Sequence, residues 1–564
     1  MSIKPAEYPP PYAPADVIQG LTDPSDERIE VGFLIVGAGP AGLAAAIRLG
    51  QLMEEDPETA ERLGEVPVAI IEKGKGPGSH LLSGAVVNPR GLQRLFKDRK
   101  RLDEMPFYGE VHGEAVYFMT RRKALRIPTP PPMKNERNMI GSISQLGRWL
   151  AEEAEGLGVT ILPETAAEKL LVDGGRVLGV RTGDRGRGRE GEQLGNFEPG
   201  SDIAARVTIL CEGTQGNLTA AALSELHLAG PYPQVWELGV KEIWKVTKPL
   251  DHIIHTMGWP LRPQAKYREF GGSFVYPLGD DMVSIGMVLG LDYRDNEISV
   301  HDLLQELKTH KLMRELLEGG ERLQWGAKTI PSGGFVALPK RFHAPGLLLC
   351  GDGVGMVNVP RLKGIHYAIE SGRLAAEAAW RTLARGANQT AALATYDASL
   401  KRSYIWSDLK EVRNMRQPFG KGLVVGGAIA NLAIASKGHL PRKDIPTHQD
   451  TEQSIISTNR SAAYPAPDGQ LTFDKLSSVF ASGNRTRDDQ PNHIRIQTKV
   501  PRELAQMWVR LCPAQVYEID EEDGPGTVRV NLAPSNCVQC GAITAKGGRL
   551  TPPEGGSGPE YTLT

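Results

Sequence analysis

The sequence predicts an α/β (α+β) protein with an interrupted dinucleotide-binding domain, on three observations. A glycine-rich turn joins an apolar strand to an Ala-rich helix in VGFLIVGAGPAGLAAAIRLG, residues 31–50. A second strand, turn and helix follow far downstream in LLLCGDGVGMVNVPRLKGIHYAIESGRLAAEA, residues 347–378. Short β-type runs fill the middle of the chain, and cysteines gather near its end.

A chain of 564 residues exceeds what one hydrophobic core usually organises, so two or three substructures are expected. Hydrophobic residues at 40% and charged residues at 23% are those of an ordinary globular protein. A net charge of −2 gives no global signal for nucleic acid, and none is expected as a partner. No run reaches the ~18 apolar residues of a spanning helix. The start, MSIKPAEYPPPYAPADVIQG, reads as a Pro-rich arm and not as a signal or transit peptide. Three of the five cysteines fall in the last tenth of the chain, which suits a metal or cluster site better than a disulfide framework.

The first unit is expected to run as a strand from Val31, a Gly turn, and a helix continuing through 51–64 to a second strand at Val68–Glu72. Gly37, Gly39 and Gly42 form G-x-G-x-x-G, with Ala38, Pro40 and Ala41 between them. The first glycine permits the tight turn, the second lets backbone approach a pyrophosphate, and the third lets helix and strand pack closely. The helix start then offers free N–H groups to phosphate. Glu72 closes the second strand and can accept ribose hydroxyls, with Lys73 beside it. An amphipathic helix is expected over 142–156, and strands at Val207–Leu210, Phe274–Leu278, Met282–Leu289 and Leu347–Cys350.

The second motif decides between FAD and NAD. Gly351-Asp352 ends a strand, where the carboxylate suits a ribitol hydroxyl. The helix after Lys363-Gly364 can aim N–H groups at the electron-rich edge of a reduced flavin. Cys211-Glu212-Gly213 after VTIL is similar to an intermediate strand-end motif of such flavoproteins. Gly420-Lys421-Gly422 imitates a nucleotide loop but has no strand before it, so NAD(P)H is not the expected reductant.

Further stretches carry a specific resemblance. These include His80–Ala85 (HLLSGA), HTMGWPL, FGGSFVYPL, NVPRLKGIHYA, DQPNHI, CPAQVYE, NCVQC and PEGGSGPEY. From about residue 31 to its end, the chain resembles bacterial electron-transfer flavoprotein–ubiquinone oxidoreductases. The resemblance implies an interrupted Rossmann-like FAD domain, an interleaved β-rich quinone-binding domain and a small C-terminal ferredoxin-like cluster domain. The expected division is an arm at 1–30, FAD-domain parts at 31–110, 141–225 and 341–400, and a membrane-facing loop at 111–140. A quinone domain at 226–340, a membrane-dipping helical segment at 401–450 and a cluster domain at 451–564 complete it. It adds Ser83, Gly84, Ala85, Gly213 and Gly364 to the FAD contacts and places the quinone ring near Gly271 and Gly272. Reduced electron-transfer flavoprotein is the implied donor, ubiquinone or menaquinone the acceptor, and the cytoplasmic face of the bacterial inner membrane the location.

One departure stands out. The family carries four cluster cysteines, and this chain supplies Cys512, Cys537 and Cys540, with Ile543 at the fourth position. The expectation is an iron–sulfur cluster as a three-iron form, or as a four-iron form with a non-cysteine ligand. Cys211 and Cys350, on the flavin motifs, read as small buried residues. The segment GLVVGGAIANLAIA at 422–435 carries no charge and is too short to span a bilayer, so it suits a dip into one leaflet. Arg121, Arg122, Lys123 and Arg126 suit anionic headgroups. Other readings are a flavin monooxygenase or prenyl reductase, and a membrane flavoprotein scaffold without a cluster.

Overall fold

The computed structural model describes residues 3–21, 28–84, 86–522 and 526–564, so Ala85 lies outside the described residues. Its first layer is a nine-stranded sheet built round the two glycine-rich motifs. The Ile29–Val36 strand, buried along its apolar run from Val31, lies in parallel between Val68–Ile71 and Asp202–Leu210. Leu347–Leu349 then pairs in parallel with the last three residues of Asp202–Leu210. Leu210 is level with both Val36 and Leu349. Three strand ends therefore meet, and the turns after them share one crevice, the usual place for a ligand in an open parallel sheet.

Two helices cover this crevice: Pro40–Glu55 after the first motif and Ile365–Trp380 after the second. Their close approach needs Gly372, where a Cβ would fall 1.9 Å from the Ala41 carbonyl oxygen. The first helix stops at Glu55 and does not continue through residue 64. Pro57 cannot donate to the helix ladder, and Asp56 instead accepts from Thr59 N (3.1 Å) to start a separate turn at Pro57–Ala60. Ser142 caps the Ile143–Gly156 helix by accepting from Gln145 N.

A seven-stranded sheet forms the second layer. Its order is Glu321–Pro331, Trp236–Lys245, Met282–Gly290, Gly271–Pro277, Ile253–Gly258, Glu114–Met119, Ala124–Ile127. The last two strands come from the stretch expected as a loop. They form a hairpin whose turn carries Arg121, Arg122 and Lys123. Alternation along Trp236–Lys245 sends Leu238, Val240, Glu242 and Trp244 to one face of the sheet, against the Val300–Lys308 helix. There Glu242 is fully buried, and it is paired with Lys308 at 2.7 Å and hydrogen-bonded by the Trp244 indole.

The C-terminal layer packs the Arg502–Leu511 helix on an antiparallel sheet of Lys499–Pro501, Thr527–Leu532 and Tyr517–Glu522. The N-terminal arm is docked along its described part. Ile18–Gln19 pairs with Leu170–Leu171, and Tyr12 donates to Asn217 Oδ1.

Candidate functional site

The crevice at the strand ends opens into a cavity of about 1030 Å³ that runs between the two large sheets. That is the upper end of ligand-site volumes and leaves room for more than one ring system. Gly37, Gly39, Pro40, Ala41, Glu72 and Lys73 line one end; Ser83, Gly84 and Gly213, then Gly351, Asp352 and Gly364, line the stretch beyond. Ala38 and Gly42 stand just behind this wall. Ala38 N donates to Glu72 Oε2 (2.9 Å), while Gly74 N donates to Oε1 (2.7 Å). These bonds hold the carboxylate across the strand ends and leave each oxygen a further lone pair for a hydroxyl.

The three glycines of the motif have different causes. Gly37 has φ +103°, and a Cβ there would sit 2.6 Å from the Cys211 carbonyl oxygen. A Cβ on Gly42 would sit 2.0 Å from the Gly37 carbonyl oxygen, so its bareness is what lets the helix pack. At Gly39 the nearest atom to a Cβ is Leu81 Cδ2 at 3.7 Å, so nothing in the protein demands glycine there. The space above Gly39 belongs to the cavity, which is the cradle a pyrophosphate requires. Neither the Pro40–Glu55 helix nor the Ile365–Trp380 helix has a side-chain cap or an acidic residue in its first turn. Both present free N–H groups and a positive dipole end to the cavity. Burial pushes the Asp352 carboxyl up to about 6. These residues fit an extended FAD, with phosphates at the first helix and the ring toward the second.

Farther along, the cavity is walled by one face of the seven-stranded sheet. Gly272 is on it and Gly271 at its edge. Their missing side chains are first a demand of the sheet: a Cβ on Gly271 would meet the Val288 carbonyl oxygen at 2.0 Å, and one on Gly272 that of Thr256 at 2.3 Å. Buried charges on this face escape simple motif reading. Lys241 Nζ donates to the Ser83 carbonyl oxygen (2.6 Å), and burial lowers it to about 7. Glu237, four residues earlier on the same strand, also faces the cavity, as does Lys363 from the second motif, which burial likewise lowers to about 7. The sequence signal was three charges, Glu237, Lys241 and Glu242, in the otherwise apolar run WELGVKEIW.

The outer end of the cavity is largely apolar, with Asn431, Thr120 and Arg121 as polar groups on it. Leu423, Gly427, Ala430 and Ile434 of the Leu423–Ala435 helix line it beside Phe118, Met119 and Ile127 of the basic hairpin. The far side of that helix faces outward, with Val424 85% exposed, and Leu125 on the hairpin is 65% exposed. Among the described residues no helix is long and apolar enough to cross a membrane.

The three terminal cysteines converge. Cys512, Cys537 and Cys540 line one small apolar pocket, with Ile543 completing its wall. Backbone N–H groups point at sulfur: Ala514 and Val516 at Cys512 Sγ (3.4 and 3.5 Å), and Gln539 at Cys537 Sγ (3.4 Å). Burial pushes all three thiols up, Cys540 to about 12, while Lys475, Lys73 and Lys328 lie near enough to favour thiolate at Cys512, Cys537 and Cys540 respectively. Among the described residues no three His, Cys, Asp or Glu side chains are grouped as one metal ion requires. Three separated thiols under amide N–H groups fit the larger body of an iron–sulfur cluster, whose potential such bonds tune. Gln539 ties this loop to the flavin side: Lys73 Nζ donates to its side-chain oxygen (2.7 Å) and Lys328 Nζ to its carbonyl oxygen (3.2 Å). Cys211 and Cys350 are buried free thiols behind the strand ends, remote in role from this loop.

Two family models match the chain: "ETF-QO, ubiquinone-binding" over residues 236–330, and "Electron transfer flavoprotein-ubiquinone oxidoreductase, 4Fe-4S" over 469–562. The mitochondrial electron transfer flavoprotein-ubiquinone oxidoreductase of Oryza sativa is 37% identical over 560 residues, covering 95% of this chain and 93% of the relative. The Pseudomonas aeruginosa protein of the same name is 37% identical over 562 residues, covering 95% and 99%. Among solved structures, a geranylgeranyl bacteriochlorophyll reductase-like protein from Thermoplasma acidophilum shares the fold. Its TM-score is 0.53 at 18% identity, covering 77% of this chain and 95% of that one.

Proposed function

The chain belongs to the electron transfer flavoprotein–ubiquinone oxidoreductase family, and from that premise we propose that it passes electrons from reduced electron-transfer flavoprotein to a membrane quinone, using an iron–sulfur cluster and FAD. The observation that carries this reading is one cavity that joins a phosphate cradle at Gly39 to an apolar mouth at Leu423–Ala435, with three converging thiols beside it. When bound, the flavin and the cluster supply the redox chemistry, the cluster in single-electron steps. The chain's own work is placement. Gly37–Gly42 and Glu72 hold the adenosine diphosphate end, Asp352 takes a ribitol hydroxyl, and the Ile365–Trp380 helix start faces the flavin ring. Lys241 and Lys363 add charge near that ring in a water-poor setting. Cys512, Cys537 and Cys540 would hold the cluster; the fourth family position is Ile543, which cannot ligate iron, so the cluster would be a three-iron form or a four-iron form with a non-cysteine ligand.

Ubiquinone enters from the bilayer through the mouth, and menaquinone shares the ring chemistry that would let it do the same. The exposed apolar side of Leu423–Ala435 dips into one leaflet of the cytoplasmic face of the inner membrane, with the Arg121–Lys123 turn on anionic headgroups. Visible and EPR spectra of anaerobically purified protein, with iron and acid-labile sulfide analysis, test the core of this reading. The expected result is one FAD and three or four irons per chain. A chain with flavin but less than one iron would overturn the cluster route.

A further inference from the structure

Reduction of a quinone to a quinol consumes two protons with its two electrons, and an apolar cavity must be given a group that delivers them. The mouth end of the seven-stranded sheet holds such a group. Glu237 is paired in register with Ile330 on one side and Gly290 on the other, and Gly290 N donates to the Phe270 carbonyl oxygen (2.7 Å). Opposed residues share a sheet face, so Glu237 and Phe270 flank the bare Gly290 in a single row on the cavity side. This row is the one nearest the apolar mouth, because the Phe270 ring packs on Phe419 (4.9 Å), directly before the Leu423–Ala435 helix. Lys241 and Lys328 lie in deeper rows, toward the flavin end.

Glu237 is 4% exposed, and its Oε1 has no hydrogen-bond partner in the protein. Nearby charges explain why it tolerates burial. The Arg416 guanidinium lies over Gly290, where a Cβ would come within 2.7 Å of Nη2. Arg416 is committed to Asp292 by two bonds (2.7 and 3.1 Å), and Arg268 takes Asp292 as well (3.0 Å). Asp450 and Lys546 complete the buried network behind it. Glu237 is thus a cavity-lining residue beside a cation that is already paired, with Ser332 the one hydroxyl near enough to bond its carboxyl.

We propose that Glu237 is the proton donor to the quinone bound at the mouth-side row of this cavity. This assignment rests on the quinone reduction proposed above. As each electron reaches the ring, a carbonyl oxygen gains basicity, and the O–H bond of the Glu237 carboxyl breaks as the quinone O–H bond forms. The carboxylate, briefly held by Arg416, regains a proton from water before the next electron. Two electrons and two protons give the quinol. Burial raises the Glu237 carboxyl, Arg416 lowers it and Asp292 raises it, leaving it at about 7, so that it holds a proton near neutrality and can release it.

The test separates the half-reactions of the holoenzyme. With reduced electron-transfer flavoprotein as donor, flavin reduction is followed first, then turnover with a short-chain ubiquinone analogue across pH. E237Q is expected to keep its flavin and flavin-reduction rate, while kcat for quinone falls at least about tenfold and KM changes little. The wild-type rate should fall as pH rises through about 7, and this limb should vanish in E237Q. A wild-type kcat in E237Q, or a slower variant that keeps the limb, overturns the proposal, because a merely structural acid would leave the limb in place. Should E237Q lose its flavin, E237D keeps a carboxyl withdrawn by one methylene; it is expected to keep the pH limb at a lower kcat, and an E237D variant without that limb overturns the proposal equally. A wild-type chain that reduces no quinone would sink the proposed function and this assignment together. Wild-type turnover matched by E237Q sinks this assignment alone.

Discussion

At the scale of the residue, the three motif glycines divide between fold and ligand. Gly37 and Gly42 are required by the chain itself, since a Cβ at either would strike a carbonyl oxygen. Gly39 is not, and its Cβ direction opens on the cavity. Gly39→Val is therefore expected to fold with an unaltered far-UV spectrum but to purify without flavin. A fully yellow variant would remove the pyrophosphate from this position. Titration belongs to this scale too. Burial and the nearby Asp292 push the Asp450 carboxyl well above the usual carboxylate range, to about 8. An acid whose folded pKa is raised binds more protons folded than unfolded. Stability therefore falls as pH rises from about 4, the unfolded value, to about 8. Asp450→Asn retains an acceptor for Trp236 N and removes that slope. Thermal melts should show the variant gaining on the wild type between pH 5 and pH 9, by about 1 °C per kcal/mol for a chain of 564 residues. An unchanged difference across that range would contradict a protonated Asp450. Gly39, Glu72, Asp352 and the three cysteines could be singled out in the sequence by their strand–turn–helix setting and their clustering near the end of the chain, and the structure sets them at the cavity and the cysteine pocket. Glu237, Lys241 and Arg416 were not, because their roles come from the partners they meet across strands.

At the scale of the element, most strands and helices followed from apolar runs and their punctuation. Ser142 starts its helix as an N-cap, and the Ile29–Val36 and Leu347–Leu349 strands lie where their apolar runs do. Two elements departed from expectation for local reasons. Pro57 ended a helix whose polar composition suggested continuation, and 114–127 paired into a hairpin because a sheet edge, Ile253–Gly258, was available to it. The Leu423–Ala435 helix makes the clearest prediction at this level. Within this uncharged segment Leu423 turns partly inward to line the cavity, while Val424 is the most exposed of its large apolar side chains. Replacing Val424, Val425 and Leu432 by Ser should release the protein from vesicles that contain anionic lipid, without loss of flavin. Equal sedimentation of variant and wild type with the vesicles would exclude the dip.

At the scale of the whole molecule, three layers share two interfaces: the cavity between the large sheets, and the Lys73–Gln539–Lys328 contact between flavin side and cysteine loop. The donor flavoprotein must reach this assembly by diffusion. Transient electron-transfer encounters are steered by charge and are screened over about 8 Å at physiological ionic strength. The second-order rate of reduction by electron-transfer flavoprotein is therefore expected to fall steadily as salt is raised in stopped-flow measurements. A flat profile would mean that docking is apolar. By itself the sequence determined the chemistry: a glycine turn between strand and helix, an acid at a strand end and cysteines at ligand spacing act locally, and local patterns survive without a fold. Only the tertiary structure decided what these parts face. It brought Val36, Leu210 and Leu349 level at one crevice and set three cysteines round a pocket whose fourth wall is Ile543. It also set Glu237 on the cavity face of its strand beside Arg416, because burial, pairing and proton affinity are set by neighbours distant in the chain.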